Sequence, residues 1–113
     1  MDRVVGVVGL GTMGLGIVLV YAQAGFTVLA TDSFPAARAS ARERLTAALA
    51  PRLAKGALDQ ATHDAILGRI TIVDDLAGLA PAGLVVEAII ETLAAKQELV
   101  AGLEAVLAPE AVI

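Results

Sequence analysis

The sequence contains no cysteine or tryptophan, and only 3% of its 113 residues are aromatic. Without cysteine the chain can form neither a disulfide nor a thiolate metal site, and no metal is expected. Nothing indicates export, so a cytoplasmic protein is expected. The formal net charge of −4 provides no basic surface for nucleic acid or for an anionic membrane. These absences favour a protein that binds a small molecule.

Charged residues are also missing from positions 4–31, and so long an uncharged stretch could be a membrane helix, since about 20 apolar residues span a bilayer. Six of these positions are glycine, and each would weaken one continuous helix by up to about 1 kcal/mol relative to alanine. A signal peptide is disfavoured as well, because Asp2 and Arg3 cancel where a basic segment is required. Two strands joined by a short helix fit the stretch better, so no membrane segment is predicted.

A glycine-rich turn follows the first apolar run. The β-branched residues at positions 4–8 predict a parallel strand that is buried on both faces. Gly9, Gly11 and Gly14 then match G-x-G-x-x-G between a strand and a helix. The first glycine permits the tight turn, the second lets the backbone approach a pyrophosphate, and the third lets the helix lie close to the sheet. Gly16 is expected to extend that close packing. The start of the helix is where a pyrophosphate can be held without any lysine.

An acidic residue closes this unit. The helix is predicted to end near Gly25, and positions 26–31 form a second apolar run with Asp32 at its end. An acid at that place, eighteen residues beyond Gly14, accepts hydrogen bonds from the hydroxyls of an adenosine ribose. Because its carboxylate repels a 2′-phosphate, NAD is favoured over NADP. Strand, loop, helix, strand and acid together predict a nucleotide-binding βαβ unit.

A helix with unusual basic content is predicted next. Ser33 is the expected N-cap and Pro35 a first-turn residue, whereas Pro51 is expected to kink or break the helix close to Ala50. The positive charge suits either a solvated helix face or a dock for the phosphates of an anionic substrate. It is carried by Arg38, Arg42, Arg44, Arg52 and Lys55.

The chain has a single histidine, His63. It falls in a short helix that Asp59 is predicted to start, and its neighbours in sequence are polar. The segment is far along the chain from the glycine loop. A surface histidine is therefore predicted rather than a catalytic one.

The remaining positions predict two further strands, at 70–73 and 84–86, separated by a turn with a helical fragment. Glu87 and Glu91 follow the second of these strands, at the sheet edge where open α/β folds bind ligands. Thr92 can cap a last helix, which Pro109 ends, and positions 111–113 open a fifth strand. A strand cut so early leaves a core uncovered, so the chain is expected to be a fragment.

Read as a whole, the sequence resembles the N-terminal, NAD-binding part of the L-3-hydroxyacyl-CoA dehydrogenases. The matching segments are GLGTMGLGI at positions 9–17, the acid Asp32, ITIVDDL at 70–76 and VVEAIIETLAAKQEL at 85–99. The last segment is the discriminating one, because GLGTMG also occurs in 6-phosphogluconate and 3-hydroxyisobutyrate dehydrogenases. The expected fold is a Rossmann-type α/β domain with a mostly parallel sheet, truncated after the start of its fifth strand.

The resemblance implies a role for particular residues. The loop residues would wrap the pyrophosphate of NAD, and Asp32 would hold the adenosine ribose. Glu91 and Lys96 would lie near the nicotinamide half, although they could instead be an ordinary pair at a helix start. Lys55 would contact coenzyme A. The loop residues are Gly9, Leu10, Gly11, Thr12, Met13 and Gly14.

The resemblance also implies a reaction, reversible hydride transfer between C3 of an L-3-hydroxyacyl-CoA and NAD. The catalytic histidine and glutamate of the family would lie beyond Ile113, together with a helical C-terminal domain that forms the usual homodimer. Positions 1–113 would then be the N-terminal part of the NAD-binding domain, with no catalytic residue of their own. Two alternatives stay open: a β-hydroxyacid or 6-phosphogluconate-type dehydrogenase, and a non-catalytic dinucleotide-binding module.

Overall fold

The computed structural model describes residues 3–89, 93–109 and 111–113, and for residues 93–96 it describes the backbone alone. Four parallel strands form one sheet: β1 (Val4–Val8), β2 (Thr27–Thr31), β3 (Ile70–Ile72) and β4 (Leu84–Glu87). Their order in the described part is β3-β2-β1-β4. The chain therefore steps outward on one side of β1 and then crosses to its other side, which confirms the predicted parallel α/β sheet.

Helices cover both faces of this sheet. The elements are α1 (Thr12–Gln23), α2 (Pro35–Ala54), α3 (Gln60–Gly68), a 3₁₀ turn (Leu76–Leu79) and α4 (Leu93–Val106). The first three helices pack on one face, around Val28 and Ala30 of β2, and the 3₁₀ turn and α4 pack on the other, near Leu29. Alternate residues of a strand point to opposite faces, so the near-continuous apolar strands supply both cores at once.

Helix α2 differs from the prediction in two ways. It continues through Pro51 to Ala54, so the predicted break close to Ala50 is wrong. Pro51 lies in the last turn with its ring exposed, and the inward-facing side chains that bury the helix all precede it. The N-cap is Phe34 rather than Ser33, while Pro35 occupies the first helical position as predicted.

The end of the chain lies beside β4. The Val112 carbonyl accepts the Val85 N–H at 2.7 Å, and the Val112 N–H donates to the Gly83 carbonyl at 2.9 Å. The predicted opening of a fifth strand is thus a single parallel bridge between Leu84 and Val112. Helix α4 ends at Val106, three residues before the predicted stop at Pro109. The predicted cap, Thr92, lies outside the described residues.

His63 is buried, with 7% of its surface exposed, so its predicted place on the surface is wrong. It shares the inward face of α3 with Ile66, three residues on, and three residues is close to one helical turn. Its Nδ1 lies 3.0 Å from Oδ1 of Asp64, and this hydrogen bond is the main cause that holds the pKa of Asp64 below its ordinary value. Polar neighbours in the sequence describe the outer face of the helix, not the face that His63 occupies.

None of the helices in the described ranges combines the length and apolar character needed to cross a membrane.

Candidate functional site

A cavity of about 1110 Å³ opens at the carboxyl ends of the strands, near the point where the chain crosses from one side of β1 to the other. Open α/β sheets bind ligands at such crossover points, and typical ligand pockets measure about 300–1,000 Å³. This cavity therefore has the position and size for a large ligand such as a dinucleotide. Its lining includes Gly9, Leu10, Gly11, Thr31, Asp32, Phe34, Arg38, Arg44, Asp74, Leu76, Ile89 and Leu99.

Gly9 makes the turn out of β1 possible. Its φ of +106° is a conformation that residues with a side chain rarely adopt. A Cβ added there would also lie 2.7 Å from the carbonyl carbon of Ala88 and would overlap the oxygen of that group. The loop after β1 is therefore packed directly on the segment after β4, and only glycine permits that contact.

Gly14 and Gly11 differ in their surroundings. A Cβ on Gly14 would lie 2.7 Å from the carbonyl carbon of Gly9 and overlap its oxygen, so α1 rests on the loop backbone itself. A Cβ on Gly11 would meet no other atom of the described chain within 4 Å, which leaves open space beside that backbone. The same is true of Gly16, an exposed residue, so the expectation that it extends the close packing is wrong.

The N-terminus of α1 presents free donors beside this open space. Gly11 is the N-cap and has no side chain to accept a hydrogen bond, and the helical bonding begins with the Leu15 N–H donating to the Gly11 carbonyl at 3.0 Å. The N–H groups of Thr12, Met13 and Gly14 precede that bond and have no partner within the helix. The first turn carries no acidic side chain to occupy them. An anion such as a pyrophosphate suits these donors and the positive end of the helix dipole.

Asp32 stands at the end of β2 and reaches over to the glycine loop. Its Oδ2 accepts the Leu10 N–H at 2.8 Å, and its Oδ1 accepts the Phe34 N–H at 2.9 Å. A carboxylate offers about four lone-pair sites, so acceptor positions are left for two ribose hydroxyls. Arg38 donates from Nη1 to the carbonyl of Asp32 at 2.7 Å. Asp32 therefore joins the loop, the second strand and the start of α2.

The basic segment has a structural use that neither sequence-based interpretation included. Arg44 donates from Nη2 to the Ala37 carbonyl at 3.1 Å, and Arg42 donates to the carbonyls of Leu67 and Ile70. These guanidinium groups tie α2 to itself and to the connection between α3 and β3. Arg38 and Arg44 nevertheless also line the cavity.

The other predicted site residues are dispersed or undescribed. Lys55 caps the far end of α2 and is exposed. A helix of 20 residues is about 30 Å long, so Lys55 is remote from Asp32 at the other end. Glu91 lies outside the described residues, and so does the side chain of Lys96, whose backbone is part of α4. Met13 is 73% exposed at the start of α1.

Sequence reasoning missed several residues of the cavity, above all Phe34 and Ile89, and it did not assign Arg38 to the cofactor. Phe34 is the N-cap of α2 and Arg38 lies near the start of that helix. Ile89 follows β4 inside the segment VVEAIIETLAAKQEL, where only the acids and the lysine had been considered as site residues. A large aromatic residue two positions beyond Asp32, before any apolar period begins, was a signal that the sequence did contain.

Comparison with known proteins identifies the family. Residues 4–113 match the model of the family described as 3-hydroxyacyl-CoA dehydrogenase, NAD binding domain. The chain belongs to this family, which confirms the resemblance noted from its motifs. NAD is the cofactor of this domain, as predicted.

Individual relatives agree with the family. The chain is 37% identical over 110 residues to a 3-hydroxybutyryl-CoA dehydrogenase of Mycobacterium tuberculosis, covering 96% of this chain and 38% of that protein. It is 38% identical over 111 residues to the 3-hydroxyadipyl-CoA dehydrogenase of Escherichia coli, covering 98% and 23% respectively. The chain thus spans well under half the length of these relatives.

Solved structures confirm the Rossmann-type fold. The crystal structure of FadB2 from M. tuberculosis superimposes with a TM-score of 0.91 at 36% identity, covering 97% of this chain and 39% of that one. A 3-hydroxybutyryl-CoA dehydrogenase of E. coli superimposes with the same TM-score at 38% identity, covering 97% and 23%. The described cavity fits NAD, because Gly11 leaves room beside N–H groups that have no partner within α1, and Asp32 keeps acceptor positions for further hydrogen bonds.

Proposed function

We propose that this chain is the N-terminal part of the NAD-binding domain of an L-3-hydroxyacyl-CoA dehydrogenase. The whole protein would transfer a hydride between C3 of a 3-hydroxyacyl-CoA and NAD. The observation that carries the proposal is the meeting of the open Gly11 backbone, the free N-terminus of α1 and the Asp32 carboxylate at one cavity. The family model and the 3-hydroxybutyryl-CoA and 3-hydroxyadipyl-CoA dehydrogenases among the relatives support the reaction.

The residues of the chain would bind and orient the dinucleotide. Thr12, Met13 and Gly14 would donate their N–H groups to the pyrophosphate, which approaches through the gap beside Gly11. Asp32 would accept hydrogen bonds from the adenosine ribose. Its own bonds from the Leu10 and Phe34 N–H groups fix the carboxylate before the cofactor arrives, so binding requires little rearrangement there.

Bound NAD⁺ supplies the hydride acceptor, and the reaction also needs a base for the hydroxyl proton. The single histidine does not qualify, because His63 is buried in α3 and, within the described part of the chain, is not among the residues that line the cavity. We place the catalytic histidine and its glutamate outside these 113 residues. A positioned base contributes about 10²–10⁴-fold to the rate, so the chain alone would bind NAD without turnover.

The remaining roles follow from the family resemblance. Glu91 and Lys96 would lie near the nicotinamide half of NAD, and the exposed Lys55 would contact coenzyme A. The whole protein would be a cytoplasmic homodimer, with a helical C-terminal domain that closes over the acyl chain.

Cofactor binding tests the domain directly. We expect the chain to bind NADH more tightly than NADPH, measured by the change in NADH fluorescence. Asp32→Asn should weaken NADH about tenfold or more and narrow the gap to NADPH, since hydrogen bonds to charged groups contribute about 1.5–3 kcal/mol. Asp64→Asn removes an exposed carboxylate on α3 and should change neither affinity. Equal affinities for the Asp32 variant and the unaltered chain would contradict the assignment.

The reaction is tested on the whole protein. We expect it to oxidise NADH with acetoacetyl-CoA and to leave free β-hydroxyacids and 6-phosphogluconate unchanged. Activity on free acids alone would instead support a β-hydroxyacid dehydrogenase. NADH binding without turnover of either class would support a non-catalytic module.

A further inference from the structure

Phe34 is the one aromatic residue whose exposure the fold does not explain. Tyr21 and Phe26 contact each other edge to face, with ring centroids 5.5 Å apart, and both are partly buried against the hydrophobic core. Phe34 instead has 71% of its surface exposed and is one of the residues that line the cavity. Single exposed apolar residues are common on protein surfaces, so the exposure alone means little. Its position in a ligand cavity is what requires an explanation.

The backbone of Phe34 is held in a fixed relation to Asp32. The Phe34 N–H donates to Oδ1 of Asp32 at 2.9 Å. As the N-cap of α2, Phe34 also accepts hydrogen bonds at its carbonyl from the N–H groups of Ala37 and Arg38, at 3.1 and 3.2 Å. Two residues of chain span at most about 7 Å, so the ring is attached close to the carboxylate that would hold the ribose.

The position of Phe34 matches the place where the adenine ring of NAD would lie. In NAD the adenine ring is bonded directly to the ribose whose hydroxyls would meet Asp32. Adenine is flat and uncharged, and an aromatic side chain can stack on either of its faces. The same cavity contains the aliphatic side chains of Leu76, Ile89 and Leu99, which are half-buried or buried and can contact a flat ring without leaving a polar group unpaired.

We propose that Phe34 stacks on the adenine of bound NAD and is a determinant of its affinity. This inference rests on the proposed NAD-binding function and goes beyond it by assigning a residue to the adenine. Phe34 contributes little to the folded core, because most of its side-chain surface is exposed. Its replacement should therefore change ligand binding without changing stability.

The test compares three ligands on the 113-residue chain: NADH, AMP and reduced nicotinamide mononucleotide, which lacks the adenosine half. Phe34→Ala should weaken NADH and AMP by about tenfold, since base–aromatic stacking is worth about 1–3 kcal/mol per base. The affinity for the mononucleotide and the Tm should not change. Phe34→Trp should bind AMP as tightly as the unaltered chain does. Phe34→Leu, which keeps apolar bulk without a ring, should have an affinity for AMP between those of Phe34→Ala and the unaltered chain.

Val20→Ala is the matched control, because Val20 is 64% exposed on α1 and, within the described residues, lies outside the cavity lining. It should leave all three affinities unchanged. If the unaltered chain binds neither NADH nor AMP, the proposed function itself fails. If the unaltered chain binds both and Phe34→Ala binds them equally well, the function stands and the adenine assignment is wrong. An equal loss for the mononucleotide would also overturn the assignment, since it would indicate a general disturbance of the site.

Discussion

The glycine loop and the helical excursion formed by α2 and α3 differ in how well their structure can be predicted from the sequence. In the loop, Gly9, Gly11 and Gly14 have the surroundings that their spacing predicts, two in tight backbone contact and one beside open space. In the excursion, His63 is buried and Pro51 is accommodated inside a helix, both against expectation. The loop is specified by backbone geometry that only one residue type satisfies. The excursion is specified by which helix face meets the rest of the protein.

The largest expected effect is a loss of stability, which should distinguish one glycine of α1 from another. Gly14→Ala places a Cβ against the Gly9 carbonyl, which is backbone and cannot move aside without opening the loop. We expect a loss of about 3 kcal/mol or more in the free energy of unfolding, at or above the upper end for overpacked sites, together with loss of NADH binding. Urea denaturation measures the first and fluorescence the second.

Gly16→Ala is the control for that substitution. It lies in the same helix with open space around it, so alanine should stabilise the chain by about 0.5–1 kcal/mol through helix propensity. Similar losses for both variants would show that the contrast between packed and open glycines in α1 is wrong.

An intermediate effect tests the excursion. His63→Glu would introduce a charged group on the inward face of α3, and we expect a cost of about 1–3 kcal/mol in the free energy of unfolding. Asp64→Glu changes the exposed neighbour and should stay within about 0.5 kcal/mol. Chemical denaturation of both variants decides the point. Equally small changes in the free energy of unfolding for the two variants would indicate that His63 is exposed, as the sequence alone predicted.

The smallest effect concerns the start of α3. Oδ1 of Asp59 accepts the Thr62 N–H at 2.7 Å, and this hydrogen bond lowers the pKa of Asp59 in the folded chain. A lowered folded pKa means that the ionised carboxylate adds stability above the unfolded pKa, and that this stability is lost as the pH falls through the folded pKa. Asp59→Asn retains a capping oxygen that cannot titrate.

Thermal melts at neutral pH and near pH 3 should therefore show a slightly steeper loss of Tm for the unaltered chain than for Asp59→Asn. Equal losses of Tm between neutral pH and about pH 3 for the unaltered chain and Asp59→Asn would contradict the role of Asp59 as a cap.

The sequence was most informative where local chemistry decides the structure. Asp59 as an N-cap, Gly25 after α1 with a φ of +97°, and Asp32 at the end of β2 follow from rules that involve a few neighbouring residues. The parallel strands were equally clear, because strands buried on both faces are apolar throughout.

Other features depend on contacts between segments distant in sequence. Arg42 and Arg69 donate to main-chain carbonyls 25 and 47 residues away, at Leu67 and Ala22, and no periodic pattern announces such bonds. The Leu10–Asp32 bond belongs to the same class, which is why the acid was expected to serve the ribose but not to brace the loop. The place of Phe34 in the cavity lining likewise depends on segments that are distant in sequence.

The central claim is that NAD binds at the loop, at Asp32 and at the adjoining start of α2, and leaves α3 untouched. Titration of the ¹⁵N-labelled chain with NADH, followed by amide chemical shifts, tests it most directly. We expect the largest shifts at Gly11, Thr12 and Met13 and at Asp32, with those of α3 around His63 unchanged. Shifts concentrated in α3, or none at the glycine loop while NADH is bound, would contradict the account.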